Sequence, residues 1–149
     1  MAVSLRDSHA QFLAHLKQAG KAQATVIAYS KDIEQLVESL EETGKSDVSQ
    51  ITSADIEQFK EALKKKRYTS KSISRKINSI KAYFRHLISE GLIASNPADE
   101  VAHPKFDQAP PRVLSKLEYR ALRDAARGDV RMSAVIELLL QTGMRISEL

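Results

Sequence analysis

Apolar residues recur at three- and four-residue steps along most of this chain, which is the spacing of one face of an α-helix. The two longest stripes are Val26, Tyr29, Ile33, Leu36, Val37 and Leu40, and Ile73, Ile77, Ile80, Phe84, Leu87 and Ile88. Two shorter stripes are Leu5, Phe12, Leu13 and Leu16, and Ile56, Phe59 and Leu63. Four helices with one apolar face each predict a compact all-α bundle.

Glycines and capping patterns mark the ends of these helices. Each of the five glycines follows a helical stretch, where a left-handed C-terminal cap is expected: Gly20, Gly44, Gly91, Gly128 and Gly143. Two pairs have the spacing of a capping box, Thr52 with Asp55 and Ser115 with Glu118, and Ile51 with Ile56 is placed for a hydrophobic staple. We therefore predict helices at about 4–18, 23–42, 53–66, 70–90, 115–126 and 130–142, and no strand.

Proline marks a break between two units. All four prolines, Pro97, Pro104, Pro110 and Pro111, fall in a stretch without clear periodicity that runs from Asn96 to Arg112. Proline fixes its own backbone angle and lacks an N–H donor, so such a cluster favours a linker. We predict a first domain at 1–100, a linker at 101–113 and the start of a second domain at 114–149.

Composition excludes several classes of protein. With 42% hydrophobic and 28% charged residues among 149, the chain should form a packed core. It has no cysteine, so disulfides and thiolate zinc sites are excluded, which suits a reducing cytosol. The four histidines do not have the spacing of metal ligands, so no metal or cofactor is predicted: His9, His15, His86 and His103. No targeting segment and no apolar run of roughly 20 residues is seen, so we expect a cytoplasmic protein without a membrane partner.

Charge is distributed unevenly along the chain. Residues 60–85 contain ten basic residues against one acid, Glu61, whereas residues 32–57 carry eight acids against one lysine, Lys45. The formal net charge of +4 hides this separation. A strongly positive part of the surface is typical of a nucleic-acid-binding protein.

The fourth predicted helix carries its polar groups on one side. At about 100° per residue, an arc of roughly 120° holds Lys71, Ser74, Arg75, Asn78, Lys81 and Arg85. A helix fits the major groove of DNA, where lysine and arginine can neutralise phosphates and asparagine or arginine can read base edges. The alternative is an ordinary solvated basic face. The absence of acids within the arc weighs against that alternative, because soluble helices usually mix charges to form ion pairs.

Several segments resemble the tyrosine recombinases and phage-type integrases. Residues 70–97, SKSISRKINSIKAYFRHLISEGLIASNP, resemble the last helix and exit turn of their core-binding domain. Thr25 and Tyr29, followed by Asp32, resemble the second helix of that domain. Residues 111–118 resemble the entry to the catalytic domain, and residues 136–149, IELLLQTGMRISEL, are similar to the segment that bears the first catalytic arginine.

The resemblance implies both a fold and a chemistry. The fold is a four-helix core-binding (SAM-like) bundle, followed by a linker and the first helices of a catalytic domain. In the family, a tyrosine attacks the scissile phosphate, which forms a 3′-phosphotyrosine bond and releases a free 5′-hydroxyl, without metal or cofactor. Arginines hold the nonbridging oxygens in the transition state, and Arg145 maps onto the first of them. The other catalytic positions have no counterpart up to Leu149, so we expect no cleavage by this chain alone.

The implied partner is double-stranded DNA, with the intact parent assembling as a tetramer on two DNA sites. The fourth helix would lie in or along the major groove. Further phosphate contacts are predicted from Lys21, Thr25 and Lys31 near the second helix, and from Lys105 and Arg112 in the linker. Two alternatives remain open, a helical DNA-binding regulator without catalysis and a protein-interaction bundle that binds no DNA.

In the predicted second domain, apolar stretches such as 135–140 are expected to be poorly covered by other parts of the protein.

Overall fold

The structure is a computed structural model that describes residues 3–105 and 110–149. These residues form α1 (Leu5–Gln18), α2 (Gln23–Glu42), α3 (Ser53–Lys65), α4 (Ser70–Ser89), α5 (Lys116–Ala125) and α6 (Val130–Thr142), with short 3-10 turns at Val48–Gln50 and Ile146–Glu148. Each helix begins and ends within one residue of its predicted bounds. The described residues contain no strand, only an isolated bridge between Ser4 and Asp47, and the all-α prediction is confirmed.

The chain divides into two units, Met1–Asp107 and Gln108–Leu149. In the first unit, α4 packs against α1, α2 and α3, and its apolar face closes the core. The stripes predicted from the sequence supply that core, with Phe12, Leu36, Ile56, Phe84 and Leu87 almost fully buried. This is the four-helix bundle expected from the hydrophobic pattern.

Tyr83 is the largest of the fully buried side chains in this core. Its ring lies edge-on to Phe12 at 5.5 Å between centroids, and its hydroxyl is 2.6 Å from the hydroxyl of Ser8 on α1. Ser8 in turn donates to the carbonyl oxygen of Leu5 at 2.8 Å. The phenol group is thus buried with a hydrogen-bond partner, and burial raises its pKa to about 12.

The predicted caps are largely present. Thr52 with Asp55 and Ser115 with Glu118 form capping boxes, and four of the five glycines have positive φ. Gly128 does not, so its predicted left-handed cap is wrong: α5 instead ends in right-handed turns, with Asp129 N bonded to Ala126 O. The turn after α3 uses a residue we did not predict, Arg67, whose φ is 60°.

The segment that follows α4 packs onto the first unit. Ala98 and Val101 are buried in its core, and Lys60 Nζ donates to the carbonyl oxygen of Ala102 at 3.2 Å. The first residues of the predicted linker therefore pack with the bundle. Residues 106–109, within that linker, lie outside the described residues, and the domain boundaries stay a prediction.

The second unit has little interior over residues 110–149. Its helices α5 and α6 pack against each other, but Ala126 is the one buried residue there. Large apolar side chains that remain exposed are Val113, Leu114, Leu117, Leu122, Val130, Met132, Leu138, Ile146 and Leu149. Poor cover was expected for 135–140, and Leu138 is exposed while its neighbours in that stretch are partly buried.

Candidate nucleic-acid interface

The polar arc of α4 faces away from the core of the first unit. Lys71, Arg75, Asn78 and Arg85 are exposed, and Ser74 and Lys81 are half-buried. The opposite face is buried as predicted except at Ile88, in the last turn, which is 38% exposed. The N-cap of this helix is Thr69, whose hydroxyl accepts from Ser72 N at 3.2 Å. One side of α4 is therefore buried in the core, and the other side forms part of the surface.

The centre of the arc is open. Lys71, Asn78 and Arg85 follow one another at seven-residue steps, so they lie nearly on one line, drifting by about 20° per step. Fourteen residues of α-helix span about 21 Å. The side-chain hydrogen bonds and ion pairs of the described residues reach the flanks of this line but none of its three members. We call Lys71, Asn78 and Arg85 the open stripe.

One flank of the open stripe is tied to α2. Arg75 donates from Nη1 and Nη2 to the two carboxylate oxygens of Asp32, at 2.6 and 2.9 Å. No acid lies within the arc itself, as the sequence showed, but an acid of another helix pairs with Arg75. A helical wheel shows one helix, so it could not reveal Asp32, which approaches from α2. The guanidinium nevertheless stays at the surface, with its side chain 52% exposed.

The other flank lies against the segment that follows α4. Ser74 Oγ and His103 Nδ1 are 2.9 Å apart, and Lys81 Nζ is 3.4 Å from the carbonyl oxygen of Asp99. Burial, with Lys81 and Lys60 nearby, lowers the pKa of His103. These two predicted site residues therefore contact protein groups already, although neither side chain is fully buried.

The structure brings Lys21 next to part of this surface. Lys21, in the turn before α2, lines one cleft together with Arg85 and the adjoining groove together with Lys31. Lys21 and Lys31 are exposed, while Thr25 is half-buried on α2. Cations from two elements thus extend the positive surface beyond α4.

The same cleft contains a histidine pair that the sequence analysis missed. His86 is buried, and its ring stacks on that of His15 with 4.5 Å between centroids. Neither ring nitrogen of His86 has a hydrogen-bond partner within the described residues. Burial lowers the pKa of His86, the nearby His15 lowers it further, and Glu90 opposes the shift. No spacing rule in the sequence joins residues 15 and 86, so only the fold shows the pair.

The remaining predicted site residues are exposed. Lys105 is exposed in the first unit. In the second unit, Arg112 forms an ion pair with Glu118 at the start of α5. Arg145 follows the left-handed cap at Gly143 and donates from Nη1 to Glu148 Oε1 at 2.9 Å, with its side chain 80% exposed.

The described residues contain neither a metal-binding cluster nor a membrane-spanning helix. Within 3–105 and 110–149, no three histidine, aspartate or glutamate side chains gather in a way that could hold a metal ion. Over the same residues, no helix is both long and apolar enough to cross a bilayer.

Comparison with known proteins agrees with this fold. The chain is 30% identical to the tyrosine recombinase XerC of Roseiflexus sp. over 97% of its own length and 48% of that protein. It is 34% identical to XerC of Xanthomonas campestris over 93% of its length and 44% of that protein. It is also similar to a lambda integrase tetramer bound to a Holliday junction, with a TM-score of 0.76 and 23% identity over 97% of this chain and 42% of that one.

These likenesses define an all-helical domain of the integrase N-terminal type. A family model described as the phage integrase N-terminal SAM-like domain matches residues 10–91, which is more than half of the chain. The chain belongs to the tyrosine recombinase, or phage integrase, family, as the resemblance implied. It spans about half the length of the curated relatives it matches.

Proposed function

We propose that the first unit binds duplex DNA, with α4 placed in or along the major groove, as the DNA-binding part of a site-specific recombinase. The observation that carries this proposal is the open stripe. Two cations and an amide stand in a line on an exposed helix face without protein partners among the described residues. A face that served only solubility would be expected to pair its charges with neighbouring acids.

The order of groups along the stripe suits a groove. Lys71 and Arg85 stand about 21 Å apart at the two ends, and Asn78 lies midway between them. The major groove is about 12 Å wide between its phosphate backbones, so cations at both ends can reach phosphates while the central amide reaches base edges. We assign backbone contacts to Lys71 and Arg85, and a base contact to Asn78.

The flanking groups extend this surface. Arg75 and Lys81 would contribute phosphate contacts on either side of the stripe, and Ser74 would donate to a phosphate oxygen. Lys21, Thr25 and Lys31 would approach the backbone near the second helix, with Lys21 supported by its position beside Arg85. Lys105 and Arg112 are further candidate phosphate contacts.

The whole protein would break and rejoin DNA strands. That proposal rests on family membership and on the curated relatives, which are tyrosine recombinases. Arg145 would bind the nonbridging oxygens of the scissile phosphate, where preorganised cations act most strongly as charge develops. The proposed assembly is a tetramer on two DNA sites, supported by the similarity of the fold to an integrase tetramer bound to a Holliday junction.

Binding to duplex DNA across a range of salt concentrations tests the first part. A surface with about five phosphate contacts gives a slope of roughly −4 to −5 in a plot of log affinity against log salt. Replacing Lys71 and Arg85 by glutamine should reduce the magnitude of the slope by roughly 2. The matched control replaces Arg120 and Arg131 by glutamine, two exposed arginines of the second unit, and should change it much less.

The possible results separate the alternatives. Equal losses in the two double variants mean that net charge, rather than the open stripe, drives binding. A wild-type chain whose affinity does not vary with salt contradicts DNA binding and favours a protein-interaction bundle.

Replacing Asn78 by alanine should weaken binding to the cognate sequence more than to random duplex, because base contacts give sequence specificity whereas phosphate contacts only position the protein.

A further inference from the structure

The first unit contains a buried carboxylate with an unusually complete set of donors. Asp32, on α2, is 1% exposed. It accepts hydrogen bonds from Arg75 Nη1 and Nη2, from Lys76 Nζ at 2.9 Å and from Ser79 Oγ at 2.8 Å. A carboxylate offers about four acceptor sites, and all of them are used here. Such satisfaction is needed, because an ionised group taken out of water is costly unless it is paired and hydrogen-bonded.

The charges in this cluster do not balance. One anion faces two cations, and the two cations differ in burial, with the Lys76 side chain 8% exposed and that of Arg75 52% exposed. Lys76 also lies over the ring of Tyr68, 5.3 Å from its centroid. The buried lysine is therefore sufficient to neutralise Asp32. The pairing of Arg75 leaves a surplus positive charge at the surface, so its main effect is to hold the guanidinium in one place.

The held guanidinium still has donors to offer. Of its five N–H groups, two are engaged by Asp32, which leaves the Nε hydrogen and one hydrogen on each terminal nitrogen. Arg75 lies four residues after Lys71 and three before Asn78, beside the open stripe. A fixed fork of donors at that position matches the oxygens of a phosphodiester better than a mobile side chain does.

We propose that Asp32 is a positioning residue, which holds the guanidinium of Arg75 at the edge of the open stripe so that it meets one backbone phosphate of duplex DNA. The proposal rests on the DNA binding proposed above and gives α2 a supporting role in addition to its own proposed contacts. Asp32 itself touches no DNA. Its contribution is that Arg75 loses little side-chain freedom on binding, a saving that corresponds to roughly threefold to tenfold in affinity.

The first experiment changes geometry and keeps charge. Arg75→Lys retains the cation but cannot form the two-pronged pair with Asp32. Its matched control is Arg6→Lys on α1, since Arg6 also makes a two-pronged pair, from Nε and Nη2 to the carboxylate of Glu41 at 2.8 and 2.5 Å, and is assigned no DNA contact. DNA affinity, measured well below the melting temperature, should fall roughly threefold to tenfold in Arg75→Lys and stay near wild type in Arg6→Lys.

The second experiment sets positioning against net charge. Asp32→Asn and Asp55→Asn each remove one negative charge from an aspartate paired with a lysine in the first unit, and Asp55 lies on α3, paired with Lys45. Added positive charge alone would tighten DNA binding in both variants. Positioning predicts that Asp32→Asn binds DNA more weakly than wild type, while Asp55→Asn binds as well as wild type or slightly better.

Each result decides one of the two proposals. Arg75→Lys with wild-type affinity, or Asp32→Asn with tighter binding than Asp55→Asn, contradicts the positioning role and leaves the proposed function intact. A purely structural role would lower melting temperatures without changing the affinity of the folded protein, and that result also contradicts it. Absence of salt-dependent binding by wild type contradicts the proposed function itself. If Asp32→Asn does not fold, the comparison of Arg75→Lys with Arg6→Lys decides alone.

Discussion

The helices of the two units differ in how many of their residues are buried. In the first unit, α4 has α1, α2 and α3 as neighbours, and nine of its residues are buried. In the second unit, α6 is rich in apolar residues and packs against α5, yet neither helix has a buried residue. Apolar residues can favour a helix, but burial depends on what surrounds it.

This difference bears on function. A binding surface works best on a rigid support, and α4 obtains that support from three neighbouring helices. Its open stripe can therefore remain exposed and polar while the opposite face is held in the core. The second unit carries Arg145 on a segment with little interior. The first unit should thus hold its proposed DNA-contacting groups more firmly than residues 110–149 hold theirs.

The largest effect should come from removing a core side chain. Phe84, in α4, is fully buried, and Phe84→Ala should lower the free energy of unfolding of the first unit by about 3–5 kcal/mol. Leu138→Ala in α6 removes a side chain that is 44% exposed and should cost less than about 1 kcal/mol. Denaturant unfolding of both variants measures the two values.

The difference between the two losses of unfolding free energy tests how firmly each helix is packed. Comparable losses in Phe84→Ala and Leu138→Ala would mean that α6 is packed as firmly as α4, and the comparison between the units would be wrong. A loss of less than about 2 kcal/mol in Phe84→Ala alone would mean that the bundle closes over the cavity, which is the least costly outcome for a large-to-small change.

The helices could be predicted because their signals are local. Apolar spacing, glycine and capping residues act within a few positions, and they placed all six helices to within one residue. The exceptions are also local. Gly128 lacks the left-handed conformation because α5 ends in right-handed turns, and Arg67 adopts that conformation although it is not glycine. Composition could not show which helices have enough neighbours to be covered.

Contacts between helices could not be predicted in the same way. The wheel of α4 placed Arg75 correctly on the outer face, but the ion pair with Asp32 joins residues 43 positions apart. The stacked rings of His15 and His86 come from α1 and α4. Such pairs follow from how helices cross, which depends on packing of whole faces rather than on any short motif. The individual DNA contacts stay predictions for that reason.

A smaller effect is expected at alkaline pH, where a buried tyrosine should lower stability and a half-buried one should not. The pKa of Tyr83 is raised to about 12 by burial, against about 10 for an unfolded chain. Between these values the unfolded chain gives up a proton that the folded chain keeps, so stability falls as pH rises. The expected loss is about 1.4 kcal/mol per pH unit, or roughly 2–3 kcal/mol in all.

Alkaline unfolding of Tyr83→Phe checks this expectation. The variant loses the hydrogen bond with Ser8, so its stability at pH 8 should drop by about 1 kcal/mol. Its decline between pH 10 and 12 should nevertheless be shallower than that of wild type. Tyr119→Phe, the same change at a half-buried tyrosine of the second unit, should leave the wild-type decline in place. Parallel curves for wild type and Tyr83→Phe would contradict a buried phenol in the bundle.

The smallest expected effect is the loss of an N-cap, which we compare between α4 and α6. Thr69 caps α4 by accepting from Ser72 N, and Asp129 caps α6 by accepting from Met132 N at 3.0 Å. Loss of either cap through substitution by alanine costs about 1 kcal/mol locally. In Thr69→Ala that cost should lower the free energy of unfolding of the whole first unit, because α4 joins its core to three other helices.

In Asp129→Ala the same cost should appear in a different measurement. Because α6 has no buried residue, little apolar burial holds this helix in place. We therefore expect faster amide hydrogen exchange confined to α6, and little change in the denaturant midpoint. Exchange that also speeds up throughout α1 to α4 would show that the two units unfold together, and the stability of the bundle would then depend on the second unit as well.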